Sequence, residues 1–354
     1  MLNYRELTTA LPSILFVPSS LSQFVESGAI NRPYWRVKFI KRYVIYWTIA
    51  RLFGIVHEKN QIVGAQRILW INFSAPSLGD SLMDLSARVL LTGKAVDLFT
   101  SPKNAKLYQD DPWFTKVFDR ADQVSRHYDV VICDSYAPRV LWRKLLVAPM
   151  TPVATMYGFL NGFDLNRTYF AFSRMLELLE KPQAGCAIRP YLDARLDIKP
   201  NADLCIAVGG EWSFRTYRYW DVVIDLLLNR GVAIHLVGGP NGRVEHDILI
   251  KKYPGITSSV GNRLDEVMSE IANTTFFIGA DGGLWHIACA VNRPTVALFA
   301  DCEIFDEAGK RVMRDTADLM CETLYDPTEV SNIDPHAIVE AYFRLRERVV
   351  DNVV

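Results

Sequence analysis

The chain has 354 residues, half of them hydrophobic, which is too long for one average domain and supplies two ordinary domains with material for packed cores. Its 39 basic and 40 acidic residues leave a formal net charge of −1, so no global field draws it to nucleic acid and any electrostatic targeting must be local. Six cysteines, at 133, 186, 205, 289, 302 and 321, form no CxxC pair and no metal-ligand spacing; Cys133, Cys205 and Cys289 lie in apolar runs and read as buried free thiols.

The first residues, MLNYRELTTALPS, lack a basic stretch leading into an apolar core, so no secretory signal is expected. No apolar run reaches the roughly 18 residues of a membrane span, and a cytoplasmic location is expected. Residues 1–66 form an N-terminal extension of different character. Within it, residues 34–56 (YWRVKFIKRYVIYWTIARLFGIV) are aromatic and basic, with no acidic residue. Such a segment either lies in a membrane interface with its rings at headgroup level, or packs on the first domain with its basic side chains snorkelling to water.

From Arg67 the rhythm becomes strand–helix–strand. RILWINF (67–73) is a buried strand ending in the turn-rich SAPSLGD, and a helix is predicted over about 80–91. Further strands are predicted at 95–99, 130–133 and 153–156, and helices at 138–147 and 166–180. Residues 67–185 thus read as one Rossmann-like domain with a doubly wound parallel sheet. The proline-bearing stretch that follows has no period, and residues 186–200 are the expected linker. A second series fills 201–332: strands at 204–208, 233–237, 275–278 and 295–299, with helices at 219–229, 244–252, 265–271 and 284–291. An amphipathic helix closes the chain in 333–354. Two α/β domains facing a cleft are expected, with ligands beyond the carboxyl ends of the strands.

Four turns carry candidate chemistry. In FIGADGGLWHIACAVNRPTVALF (277–299), a buried strand runs through Asp281-Gly282-Gly283 into a helix bearing His286. Glycines admit a ligand to the backbone, and a helix N-terminus favours phosphate; the plain alternative is a tight turn with Asp281 as N-cap and His286 in the core. Ser77-Leu78-Gly79-Asp80 makes the matching turn of the first domain, where Asp80 is either a simple cap or a base for an attacking hydroxyl. The loop from Gly209 to Trp220 carries Ser213, Arg215 and Arg218, suited to a diphosphate or merely solvated. Gly238, Gly239 and Asn241 form a turn where a nucleoside can approach. GxxxxGK[ST], HExxH and GxSxG are absent, so P-loop, zincin and serine-hydrolase readings lack their parts. A nicotinamide-dependent oxidoreductase would want GxGxxG after the first strand, and SAPSLGD does not supply it.

Taken in order, these elements resemble glycosyltransferase family 9, the ADP-heptose:lipopolysaccharide heptosyltransferases. The carrying residues are RILWINFSAPSLGD, the Ser213 to Trp220 step, the glycine turn at 238–239, Gly261, Leu264 and Glu266, and the block from Asp281 to Ala290 with Pro294–Phe299. The resemblance implies a GT-B architecture and a metal-independent, inverting transfer of a sugar, heptose foremost, from a nucleotide-sugar donor such as ADP-heptose, with no cofactor. It makes Asp80 the general base. Ser213, Arg215, Arg218, Asp281, Gly282, Gly283 and His286 become the donor-phosphate residues, and Gly238, Gly239 and Asn241 the nucleoside turn. The implied acceptor is a glycolipid of the lipopolysaccharide or lipooligosaccharide core, which suits docking of 34–56 on the inner membrane. Arg218 stands at the family's lysine, and Asn241-Gly242 follows the glycine turn where an acidic residue is expected. The alternatives are a transferase using a UDP- or GDP-sugar and a non-catalytic binding protein of the same fold.

Overall fold

A computed structural model describes residues 40–49, 59, 61–75, 77–125, 127–158, 167–193, 202–300 and 320–351. They divide into two compact units. The described parts of Met1–Pro76 and Met83–Ile188 make the first, and those of Ser77–Leu82, Arg189–Arg311 and Asp315–Val354 make the second.

The first unit opens on helix α1 (residues 40–49), the described portion of the basic aromatic segment; the remainder of 34–56 lies outside the described residues. Strand β1 (Arg67–Asn72) is followed by helix α2 (Leu78–Asp84), whose residues 78–82 take their contacts in the second unit. Then come β2 (Ala95–Thr100), α3 (Pro102–Tyr108), β3 (Lys116–Phe118), β4 (Val130–Cys133), α4 (Pro138–Val147), β5 (Val153–Thr155) and α5 (Arg167–Leu179). The five strands are parallel in the order β3-β2-β1-β4-β5. β1 is buried along all but its first residue, because helices cover both faces of a parallel sheet. Leu69, Ile71, Val131 and Val153 of the sheet pack with Val140 and Val147 of α4, each fully buried aliphatic contributing about 1.5–3 kcal/mol.

The expected helix over 80–91 is interrupted at Asp84, and a 3₁₀ segment, Ser86–Leu91, follows. Local side chains offer the backbone an alternative there: Ser86 Oγ donates to the Met83 carbonyl at 2.7 Å and Arg88 to that of Leu85 at 3.0 Å. Arg88 and Asp111 form a wholly buried ion pair, with the rings of Tyr108, Trp113 and Phe114 around the guanidinium. α3 was not expected, although Ser101 caps it, accepting from the Asn104 N–H at 3.3 Å, and Pro102 stands in its first turn.

The second unit contains β6 (Ala202–Ala207), α6 (Trp220–Leu228), β7 (Ile234–Val237), α7 (Arg243–Lys252), β8 (Thr257–Ser258), α8 (Leu264–Ala272), β9 (Thr274–Ala280), α9 (Gly283–Ala290), β10 (Thr295–Ala300), β11 (Cys321–Asp326) and α10 (Pro335–Asp351). Its six parallel strands run β11-β10-β9-β6-β7-β8. Leu204, Ile206, Ile278, Val296 and Leu298 face Trp220, Val223 and Ile224 of α6 and Ile338, Tyr342 and Leu345 of α10. Of the expected linker, residues 186–193 run without helix or strand, the Leu192 N–H donating to the Ala290 carbonyl at 3.0 Å, and 194–200 lie outside the described residues. Cys133, Cys205 and Cys289 are buried, as their apolar runs imply.

Both sheets are doubly wound, and each reverses its winding once, which fixes where a ligand belongs. The reversal falls between β1 and β4 in the first sheet and between β6 and β9 in the second. Ligands of such sheets sit outside the carboxyl ends of the strands at that point.

Candidate active site

At the switch point of the second sheet, β9 delivers Asp281 and β6 delivers the loop bearing Arg215. The Asp281 N–H still bonds the Leu298 carbonyl at 2.9 Å, so the strand ladder holds the backbone while the side chain turns inward. That carboxylate is fully buried and pairs with Arg215 Nη1 at 3.2 Å. Arg215 is itself gripped, its guanidinium 5.2 Å from the Trp212 ring and 5.3 Å from that of Phe214, while keeping 19% of its side-chain surface. A planar cation half-sheathed by aromatics stays oriented and remains weakly hydrated, ready for a phosphate.

Gly282 follows Asp281 in an extended conformation that any residue adopts (φ 178°). A Cβ there meets nothing closer than the Ala280 carbonyl at 3.8 Å. Neither the backbone nor a neighbour demands glycine; the room beside it lies at the start of α9, where N–H groups and the helix dipole favour an anion.

The glycines of the β6 and β7 turns have a different reason. Gly209 has φ +81°, and a Cβ on it would come within 2.6 Å of Gly242 Cα. A Cβ on Gly238 would lie 2.7 Å from the Val208 carbonyl. The two turns are locked backbone to backbone, which leaves Gly239 partly open and Asn241 exposed at the rim. Ser213 is exposed. Arg218 is 60% exposed and pairs with Glu329 at 3.4 Å. Of the loop's two arginines, Arg215 is the one paired with Asp281.

Gly79, the residue before Asp80, meets the ring of His286. Ser77 Oγ accepts from the Asp80 N–H at 3.1 Å and donates to the Asp80 carboxylate at 2.7 Å, so Asp80 sits at the start of α2 with its orientation set. Leu78 lies against Gly283. His286 is buried, edge-on to Trp285, with Nε2 3.7 Å from Asp281 Oδ1.

The first sheet's switch point holds a polar cluster that sequence reasoning missed. Asp134, directly after β4, accepts from the Ser74 N–H at 2.6 Å and from Asn72 Nδ2 at 3.4 Å. Arg167 grips Asp84 with Nε at 2.8 Å and Nη2 at 2.5 Å, and Tyr157 donates to the same carboxylate at 2.5 Å. The available signal was a carboxylate ending a buried strand, in YDVVICD. Burial, reinforced by the charge of Asp84 and opposed by the Ser74 N–H, pushes the Asp134 carboxyl up to about 7. A carboxyl raised in the fold holds its proton longer there than in the unfolded chain, so stability falls as pH rises from about 4 towards 7. Asp134→Asn keeps the acceptor for Ser74 and removes the titration. It is expected to raise the melting temperature at pH 8 by several degrees more than at pH 5, as melting curves at the two pH values will report.

Two parallel, doubly wound α/β domains, the second with a phosphate-suited turn at its switch point, make a GT-B fold. Residues 167–304, a stretch short of half the chain, match the model of Glycosyltransferase family 9 (heptosyltransferase), and over that stretch the chain is heptosyltransferase-like. Among solved structures, it is similar to the family 9 glycosyl transferase of Veillonella parvula (12% identity, TM-score 0.64, 79% of this chain and 97% of that one). It is likewise similar to E. coli heptosyltransferase WaaC with ADP (15% identity, TM-score 0.61, 79% and 98%). E. coli ADP-heptose lps heptosyltransferase II gives 17% identity and TM-score 0.57 over 79% and 98%. At such identities the likeness is one of fold. No curated protein matches the sequence.

Proposed function

We propose that the chain transfers heptose from ADP-heptose to a hydroxyl of a lipopolysaccharide or lipooligosaccharide core acceptor, with inversion and without a metal. The observation that carries this reading is the Arg215–Asp281 pair beside the open Gly282 at the start of α9. The solved WaaC structures contain ADP and ADP-2-deoxy-2-fluoro heptose, which supports a nucleotide-sugar donor of that class. In the proposed step Asp80 takes the acceptor proton, the acceptor oxygen bonds the anomeric carbon, and the bond from that carbon to the diphosphate breaks on the opposite face. The leaving diphosphate gains charge as the bond breaks, and its stabilisation is assigned to Arg215 and the N–H groups of Gly282 and Gly283. Ser213 and Arg218 are assigned to the outer side of the same diphosphate, and Gly239 and Asn241 to the nucleoside.

A melting-temperature panel with ADP, UDP, GDP, CMP and NAD tests the donor, since a ligand of the folded state raises the transition by mass action. Stabilisation by ADP is expected; stabilisation by UDP or GDP alone replaces the sugar nucleotide, and by NAD alone discards the transferase reading. Gly282→Ala locates the site. It is expected to leave the unliganded melting temperature unchanged and to weaken nucleotide binding by about tenfold, the methyl standing where phosphate belongs. Undiminished affinity moves the phosphate elsewhere.

The acceptor lipid assigns a role to the basic aromatic segment on the cytoplasmic face of the inner membrane. α1 buries Arg42 and Tyr46, the latter 4.5 Å from the Tyr136 ring, and exposes Ile40, Val44 and Trp47 on its other side beside Lys41. Among the described residues no helix is long and apolar enough to cross a membrane, so this stripe is assigned to surface docking. Val44→Asn/Trp47→Asn is expected to release the protein from anionic vesicles in a sedimentation assay, leaving its melting temperature unchanged. Retention on the vesicles at the wild-type level removes α1 as the anchor.

A further inference from the structure

We infer that His286 is a positioning residue: its ring is the seat on which the turn bearing Asp80 rests, and position 79 is glycine because that ring occupies the space a side chain would take. The inference rests on the proposed role of Asp80 as base. A Cβ built on Gly79 lies 2.2 Å from His286 Cδ2, 2.8 Å from Nε2 and 2.9 Å from Cγ, distances that real Cβ atoms do not reach. Such overlap forces one partner to move.

His286 has little freedom to do so. It is 3% exposed, lies on α9 three residues after Gly283, and has the Trp285 ring at 4.5 Å. On the same turn, a Cβ on Gly283 would sit 3.5 Å from Leu78 Cβ, which is ordinary contact. Residues 77–82 accordingly belong by their contacts to the unit that carries α9. The residue after Gly79 is Asp80, whose carboxylate Ser77 holds at 2.7 Å. One short chain of contacts, Asp80 to Gly79 to His286 to the start of α9, thereby ties the base to the donor turn. An in-line displacement needs such a tie, because the base must meet the acceptor hydroxyl at a set distance from the departing diphosphate. A ring buried against Gly79 and Trp285 serves as a spacer and not as a phosphate ligand.

A double-mutant cycle on the full chain tests this, with Gly79→Ala, His286→Ala and the double variant. The readings are melting temperature, affinity for ADP, and turnover of ADP-heptose with a Kdo–lipid A acceptor. Gly79→Ala is expected to lower the melting temperature by several degrees and kcat by about tenfold or more, with ADP affinity within about twofold of wild type. His286→Ala is expected to lower kcat a few-fold, also at unchanged ADP affinity. Removing the ring makes room for the new methyl, so the double variant should return to the values of His286→Ala alone. If Gly79→Ala yields no folded protein, recovery of folded protein in the double variant is the same result. Additive losses overturn the seat. A double variant that regains its melting temperature but not its kcat overturns the positioning role. So does a His286→Ala variant with weakened ADP binding at unchanged kcat, which assigns the ring to the donor. Asp80→Asn, assayed alongside, separates the two layers: full turnover there withdraws the base, while the melting-temperature coupling between 79 and 286 still reports the seat.

Discussion

Asp80→Asn is expected to lower turnover by about 10²–10⁴-fold while leaving nucleotide affinity unchanged. Asparagine matches aspartate in size, and its carbonyl oxygen can still accept from Ser77 Oγ, so the cap on α2 and the path of the turn persist. What disappears is the basic oxygen that takes the acceptor proton as its oxygen attacks. Loss of a charge from the first turn of α2 costs about 0.3–1 kcal/mol at most, a small change in melting temperature. Full turnover in Asp80→Asn places the base elsewhere, and a matched loss of nucleotide affinity makes Asp80 a binding residue.

The second large effect separates the two arginines of the Ser213 to Trp220 loop. Arg215→Ala strips the fully buried Asp281 carboxylate of its cation, and breaking a buried pair costs about 3–5 kcal/mol. Arg215 keeps a fifth of its surface, so the lower end of that range applies. The same change removes a charge aimed at the leaving diphosphate, and kcat is expected to fall about 10²–10³-fold at a temperature well below the transition. Arg218→Ala breaks only an exposed pair with Glu329, worth about 0–1 kcal/mol, and its loss of turnover is expected to be much the smaller. Kinetics of both variants under saturating donor decide the matter. The reverse ranking would return the phosphate to Arg218, the position that the family resemblance favours.

Helices at 138–147 and 166–180 were legible because their apolar residues recur at helical spacing, and α4 spans Pro138–Val147 while α5 spans Arg167–Leu179. The strands β1, β4, β9 and β10 were legible as short apolar runs bounded by turns, since a strand covered on both faces must be apolar throughout. β11 was not, because it lies at the sheet edge with its residues half exposed, and CETLYD lacks that continuous run. β3 and β8, of three and two residues, are defined by pairing with a neighbour rather than by their own pattern.

For the site, residue order alone marked the turns at Asp80, Gly209, Gly238 and Asp281, since each is a break between an apolar strand and a helix. Residue order also carried the family resemblance, because motif spacing survives where overall identity does not. Tertiary structure alone decided which residues at those turns work together. Gly238 and Gly242 pack against the Val208 carbonyl, so their glycines answer a backbone approach rather than a ligand, whereas Gly282 faces open room. Arg215 and Asp281 stand 66 positions apart and become a pair only because β9 returns beside β6. The Asp134 cluster likewise forms because β4 returns beside β1. Local pattern reports what each segment buries, but proximity across a sheet is set by strand order, and strand order exists only in the folded chain.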